Sequence, residues 1–296
     1  SAAMTAGTFV LTNTGGASNL SQANNVATLG AITNKSGDFT FNNSGSSSTL
    51  SISSAIDAGG NKIDIDAGNK ALTLGNVALT GSSLSTKSSA ITLTNANLSG
   101  ISTSINIAPS VATDKMSLAG AETFNIDAAG IAKLKAAAAT SIILGQSGGT
   151  GKMTIGAAAD LGSTKTVTLN AGSFTDGGNA GRTITAGTLN LNANTASTGD
   201  IGASGNGALD LAVTSVSANT AGGSVFLTSA KGFDLGASNV GAGTLNLTVT
   251  TTGGDLTQSG VIKANSLAVS NTFGNTDFST KDNEIASLGT IAASGK

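Results

Sequence analysis

The side chains able to do chemistry are few. In 296 positions there is no histidine and no cysteine, and the chain has two glutamates, Glu122 and Glu284, and one arginine, Arg182. Gly145-Gln146-Ser147-Gly148-Gly149 fits the GxSxG pattern that exposes a nucleophilic serine. No histidine is present to take its proton, and its setting is strand–turn instead of strand–helix, so it reads as a turn. Gly151-Lys152 lacks the following Ser/Thr and the glycine spacing of a phosphate loop. Gly59-Gly60-Asn61-Lys62-Ile63-Asp64-Ile65-Asp66 partly matches the GGxGxDxUx repeat that binds calcium through stacked aspartates. Such a site needs carboxylates on adjacent turns, and the second candidate, residues 148–156, has Met153 where an aspartate is required. Asp64 and Asp66 therefore read as solvated. Asp200, Asp210, Asp234 and Asp255 could share one side of a polysaccharide-cleaving solenoid, but no proton donor or charge clamp accompanies them. The expectation is no catalytic residue, no metal site and no cofactor.

Two weaker patterns belong to surfaces. Thr-x-Thr occurs at Thr164/Thr166/Thr168, Thr183/Thr185 and Thr248/Thr250, as on an ice-ordering face, yet it does not recur at one position of every repeat, and a solvated face accounts for it. Five Asn-x-Ser/Thr sequons, at Asn19, Asn34, Asn42, Asn97 and Asn246, are what a chain rich in Asn, Ser and Thr contains by composition alone.

What must position these residues is a repeated strand. Two apolar residues separated by one other residue, small and polar in most pairs, recur as Phe39/Phe41, Ile63/Ile65, Ile91/Leu93, Val167/Leu169, Leu189/Leu191, Leu209/Leu211, Val225/Leu227, Leu245/Leu247 and Leu267/Val269. From 167 onward the first members step by 22, 20, 16, 20 and 22 residues; in the N-terminal part the anchors at 39, 63, 91 and 124 lie 24 to 33 residues apart. A period of that size signifies a solenoid, whose units each present an apolar edge they cannot bury alone. The pattern predicts one all-β parallel β-helix over 1–296 with three short strands per coil, less regular over 1–160 and more regular over 161–296. At about 22 residues per coil and ~4.8 Å between coils, it predicts roughly 13 coils and a rod on the order of 60 Å long. The paired aliphatics form the inner stripe, and Val225, Leu245 and Leu267 stack directly, as do Leu227, Leu247 and Val269.

Composition agrees. Forty-one glycines, one proline and nine phenylalanines accompany 39% hydrophobic residues, with no tryptophan or tyrosine. Small and β-branched residues suit stacked strands, while Gly and Asn suit the corners. Fourteen basic residues against 16 acidic ones leave a net charge of −2, which provides no footprint for nucleic acid. No apolar run approaches the ~20 residues needed to span a bilayer. The start, Ser1-Ala2-Ala3-Met4, has none of the regions of a signal peptide. Ala128–Thr140 admits a short helix, but Gly130 and the strands flanking it at Phe124/Ile126 and Ile142/Leu144 favour a coil with alanine at strand positions. Pro109 should mark a corner.

The sequence also echoes itself. Val26-Ala27-Thr28-Leu29-Gly30-Ala31-Ile32 returns as Ile285-Ala286-Ser287-Leu288-Gly289-Thr290-Ile291, at an offset of 259. Neither terminus carries a polar cap, so Phe9, Leu11, Ile285, Leu288 and Ile291 are candidate edges for end-to-end contact with another copy or an adjacent module.

Over residues 223–271, the phrases GSVFLTS, FDLGAS, GTLNLTVT and GGDLTQSGVI resemble the repeats of filamentous-haemagglutinin-like exoproteins, the large adhesins exported by two-partner secretion; residues 271–295 are also similar to a recurring family segment. The resemblance implies a right-handed parallel β-helix, an extracellular or cell-surface location, and a shaft role in adhesion, with a host or neighbouring cell as a partner. The NPNG-type motif of the family's secretion domain has no counterpart here, because Asn-Pro does not occur. The segment is then expected to be non-enzymatic shaft, or alternatively a filament subunit joined head to tail.

Overall fold

A computed structural model describes every residue except 1, 180, 195–198, 252, 253, 273 and 294–296. Strands take 56% of the chain and helix 4%, and the strands stack in parallel as a β-solenoid of about 13 turns. Contacts gather the chain into two units, residues 1–146 and 147–296.

In the first unit, Phe39 carries Ile63, which carries Leu84, Ile105 and Ile142 in turn; beside it runs the column Phe41, Ile65, Thr86, Ile107, Leu144. A separate column contains Leu50, Leu72 and Ile91. Ile91 therefore does not stack on Ile63, as the order of the pairs suggested. The actual steps, 24, 21, 21 and 37 residues, are regular until the last. That step is long because the chain first forms strands Met116–Leu118 and Phe124–Ile126 and one helix.

The helix, Ala128–Ala136, corrects the expectation of a strand-like coil. Its cause is local. The Asp127 carboxylate accepts a hydrogen bond from the Gly130 N–H at 2.7 Å, an N-cap that satisfies one of the first-turn donors, and Ile131 and Leu134, three apart, turn one face inward. Gly130 does not break the helix but permits its approach: a Cβ there would lie 3.3 Å from Leu93 Cβ and 3.1 Å from Ile126 Cγ2. Pro109 is the last residue of strand Asn97–Pro109, at the beginning of a corner.

In the second unit Val225, Leu245 and Leu267 stack as expected, beside Leu227, Leu247 and Val269. The earlier part of the stripe is different. Val167 carries Leu189 and Leu169 carries Leu191. From there the order of the pairs misleads, because Leu189 meets Val216 and then Leu235, and Leu191 meets Ala218 instead of Leu211. Leu209 meets Leu227, while Leu211 lies between Ile184 and Ser229. The single stripe expected through Leu169, Leu191, Leu211 and Leu227 is thus three columns, Leu169 with Leu191, Leu211 with Ser229, and Leu209 with Leu227; the one through 167, 189, 209 and 225 likewise falls into three. Nor is the second column wholly aliphatic: Ser229 is buried, and its hydroxyl donates to Leu211 O at 2.9 Å, which satisfies it inside the wall. All three faces of a coil use the same aliphatic–polar–aliphatic pattern, and spacing alone does not say which face a pair occupies.

Every member of the predicted stripe is nevertheless buried, Leu169, Leu191 and Leu211 included, with none above 7% exposed. Each fully buried aliphatic contributes ~1.5–3 kcal/mol relative to exposure. Backbone N–H and C=O groups are consumed in ladders between coils, so a dry aliphatic lumen leaves few of them unpaired.

Candidate assembly edges

The strands Thr5–Asn13 and Glu284–Ala293 each have one ladder partner among the described residues. Their lumen-facing side chains are consequently only half covered. Phe9 and Leu11 are half-buried, with the Phe9 ring stacked on Phe41 at 5.9 Å. On the last strand Ile285 is half-buried, Leu288 is 70% exposed and Ile291 is 48% exposed. These five are the residues expected at the edges. Residues 294–296, at the end of the family-like segment, lie outside the described residues, as does Phe273 within it.

The two edges belong to the same kind of coil pair. In the first pair Phe9 faces Leu29 and Leu11 faces Ile32, so Gly30-Ala31 opposes Val10 alone. In the last pair Leu267 faces Leu288 and Val269 faces Ile291, so Gly289-Thr290 opposes Ala268 alone. Two residues against one is a β-bulge, and the glycine makes room for it. A Cβ on Gly30 would sit 2.6 Å from Val10 Cγ1, and one on Gly289 would sit 3.3 Å from Ala268 Cβ.

Corner asparagines repeat the likeness. Asn24 Oδ1 accepts from Met4 N–H at 2.9 Å, and its Nδ2 donates to Leu20 O at 2.9 Å. Asn283 Oδ1 accepts from Ile262 N–H at 2.9 Å, and its Nδ2 donates to Phe278 O at 3.0 Å. Residues 4–34 and 262–293 are therefore one structural unit occurring twice, well beyond the seven residues of the sequence echo. Asn13 and Asn271 close equivalent strands, and each folds its amide into the following corner, Asn13 toward Gly16 O and Asn271 toward Asn275 O.

The remaining sequence candidates are dispersed. Gly145 and Gly148 have φ of 87° and 76°, the left-handed geometry of a turn. Asp64 is exposed between Thr40 and Ser85, and Asp66 accepts from Gly68 N–H at 2.7 Å. Met153 is fully buried. Of the four aspartates, Asp200 accepts from Ser224 N–H, Asp210 from Gly181 N–H and Asp255 from Asn275 N–H, while Asp234, inside strand Phe233–Leu235, takes the hydroxyls of Ser215, Thr257 and Ser259; only Asp234 and Asp255 come together, lining one open groove with Lys231. No three His, Cys, Asp or Glu side chains gather to hold a metal ion among the described residues. Asp57 accepts from Gly59 N–H at 2.9 Å and pairs with Lys35 at 3.0 Å; these hold its carboxyl below the usual range, the backbone bond contributing most.

Thr166 and Thr168 head short outward rows, Thr166/Thr188/Ser215 and Thr168/Asn190/Ser217, beside Asn170/Asn192/Asn219. The Asn192 amide donates to Asn170 Oδ1 at 3.0 Å and the Ser217 hydroxyl to Asn190 Oδ1 at 2.7 Å, so the latter two rows are hydrogen-bonded ladders along the surface. Among the sequons, Asn34 is fully buried and its amide bonds Gly37 O and Asp38 O, which removes it as a glycan acceptor.

Sequence reasoning missed Asn24, Asn43 and Asn283, because nothing in local pattern separates a buried corner asparagine from the exposed ones. It also gave no weight to Phe226, whose side chain lines an open groove with Asn206, Asp210, Thr228, Asn246 and Thr248. No helix is long and apolar enough to cross a membrane among the described residues. The chain matches no family model, no curated protein sequence and no solved structure.

Proposed function

We propose that this chain is a length of shaft from a secreted bacterial surface adhesin or extracellular fibre, a scaffold and not a catalyst. The observation that carries the reading is the aliphatic seam itself. Side chains such as Phe39, Ile63, Leu189, Leu227 and Leu247 are fully buried in the lumen, a stack of apolar groups with no chemistry to offer a substrate. A solenoid of this kind gains length by repeating one coil, and neighbouring coils hold one another through ladders and stacked aliphatics.

The acidic side chains support the same reading from outside. A polysaccharide-cleaving solenoid requires paired carboxylates, or a basic residue beside one, on a single face. Here Asp200 and Asp210 each serve a backbone N–H, and although Asp234 and Asp255 line one groove with Lys231, Asp255 is engaged by Asn275 N–H and Asp234 by the hydroxyls of Ser215, Thr257 and Ser259. The proposed location, outside the cell, and the proposed partners, other modules of the shaft and a host or neighbouring cell, rest on the resemblance of residues 223–271 to exported adhesin repeats.

Immunogold labelling of producing cells, with antibody raised against residues 1–296, tests this. Label on the cell surface or on extended surface structures is expected. Label confined to the cytoplasm would overturn the reading, as would turnover of a polysaccharide by the purified chain.

A further inference from the structure

We propose that the open groove around Phe226 binds a neutral hexopyranose unit of a glycan. The inference goes beyond the shaft reading, on which it rests only for where such a glycan is met, and it is confined to residues 181–248 of the second unit.

Phe226 departs from the pattern of its own wall. In strand Val225–Ser229 the side chains of Val225, Leu227 and Ser229 turn into the lumen, while Phe226 and Thr228 turn outward. Among the described residues every other phenylalanine within a strand faces inward, so Phe226 is the one aromatic ring set half-buried on an outer face. A single exposed apolar residue is ordinary on a protein surface. Its surroundings are what set this one apart.

The chain builds a side wall next to the ring. Ile201 bridges to Val225, and the backbone then leaves the coil at Gly202, with φ 73° and so close that a Cβ would lie 2.7 Å from Phe226 O. Only glycine suits both conditions. The excursion closes on itself, with Ala203 N–H donating to Gly207 O at 2.7 Å and Ala208 N–H to Gly205 O at 3.2 Å. The floor is a grid of outward side chains: Phe226 carries Asn246, and Asp210 carries Thr228, which carries Thr248. With Asn206 from the wall they bound a groove of about 460 Å³, inside the ~300–1,000 Å³ range of small-molecule sites.

The polar groups around the ring are uncommitted. Elsewhere on the surface Asn192 and Ser217 bond to Asn170 and Asn190 along the axis. Here the amides of Asn206 and Asn246 and the hydroxyls of Thr228 and Thr248 make no hydrogen bond among the described residues. Asp210 uses Oδ2 alone, on Gly181 N–H at 2.8 Å, and its Oδ1 is left over.

A pyranose has a face of C–H groups and a rim of hydroxyls. The face suits an aromatic ring, whose negative centre attracts polarised C–H. The rim suits side-chain amides, which donate and accept together, and a carboxylate, which accepts from neighbouring hydroxyls. The one charge lining the groove is negative, so uronic acids and phosphate esters are repelled. A lone carboxylate does not supply the pair that glycoside hydrolysis uses, so the sugar is held and not cleaved.

The test titrates the full-length chain with the methyl glycosides of glucose, galactose, mannose and glucuronic acid, followed by saturation-transfer NMR. At least one neutral hexoside should bind with a dissociation constant of about 1 mM, and the glucuronide about tenfold or more weakly than that. Phe226→Ala and Asn246→Ala should each lose about tenfold in affinity, with circular dichroism unchanged, whereas Phe226→Tyr should bind like the parent. Binding by none of the hexosides, equal binding by folded Phe226→Ala, or equal binding of the glucuronide overturns the inference. Surface labelling without hexoside binding would remove this site and leave the shaft reading standing; hexoside binding with cytoplasmic label would do the reverse.

Discussion

Corner side chains decide how one coil is tied to the next. Asn24 is buried and makes hydrogen bonds to Met4 N–H and to the carbonyls of Leu20, Gln22 and Asn42, so one amide binds three segments of chain. Asp57 does a similar service nearer to solvent, through Gly59 N–H and Lys35. Its pKa in the folded chain is lowered, so its contribution is complete above the unfolded value of ~3.9 and disappears as pH falls through the folded value. Asp57→Asn should therefore lower the urea midpoint at pH 7, while the gap from the parent closes as the pH is taken well below ~3.9. Urea titrations at the two extremes check this, and a gap of constant size would contradict it. Such residues were not legible beforehand. Sequence shows that asparagine and aspartate favour corners, but which of them is buried depends on the register between coils.

At the level of elements, the alternating pairs made the strands plain: all eighteen stripe residues are buried. Column membership was not plain, as Leu209, Leu211 and Ile91 show, because a pair on one face has the same pattern as a pair on the next. The helix was misread for a different reason. Its alanines carry little signal, and its stability is set by Asp127 at the N-cap and by Ile131 and Leu134 packing inward. Replacing Asp127 with Ala should cost about 1 kcal/mol, within the usual range for losing a cap, whereas Asp127→Asn should retain most of that stability. Chemical denaturation of the two variants beside the parent decides the matter; equal losses would mean that charge, and not capping, is what Asp127 supplies.

For the whole molecule, nearest-neighbour stacking means that damage stays local. Leu227 is fully buried between Leu209 and Leu247. Truncating it to Ala removes ~2–5 kcal/mol of packing. In a stack held by adjacent contacts, amide exchange should accelerate through residues 209–211, 225–229 and 245–249 and remain unchanged in the strand Phe39–Asn42. Exchange measured by mass spectrometry would show this, and uniform acceleration along the chain would mean global cooperativity instead. Fold class and the buried set could be read from periodicity. The duplication of the coil pair could be read only in part, since seven echoing residues revealed neither the shared bulge nor the shared asparagine bonds.

Those asparagine bonds also have a sense of travel. Asn24 reaches back to Met4, Asn43 to Val26 and Asn283 to Ile262, so in each case a later turn finishes the polar business of an earlier one. Each of these turns is incomplete until its successor arrives. Removing either member of a stacked pair bares a donor on the other: the Asn25 N–H loses Met4 O, and the Ile262 N–H loses Asn283 Oδ1. Loss of one layer therefore loosens the next from either side.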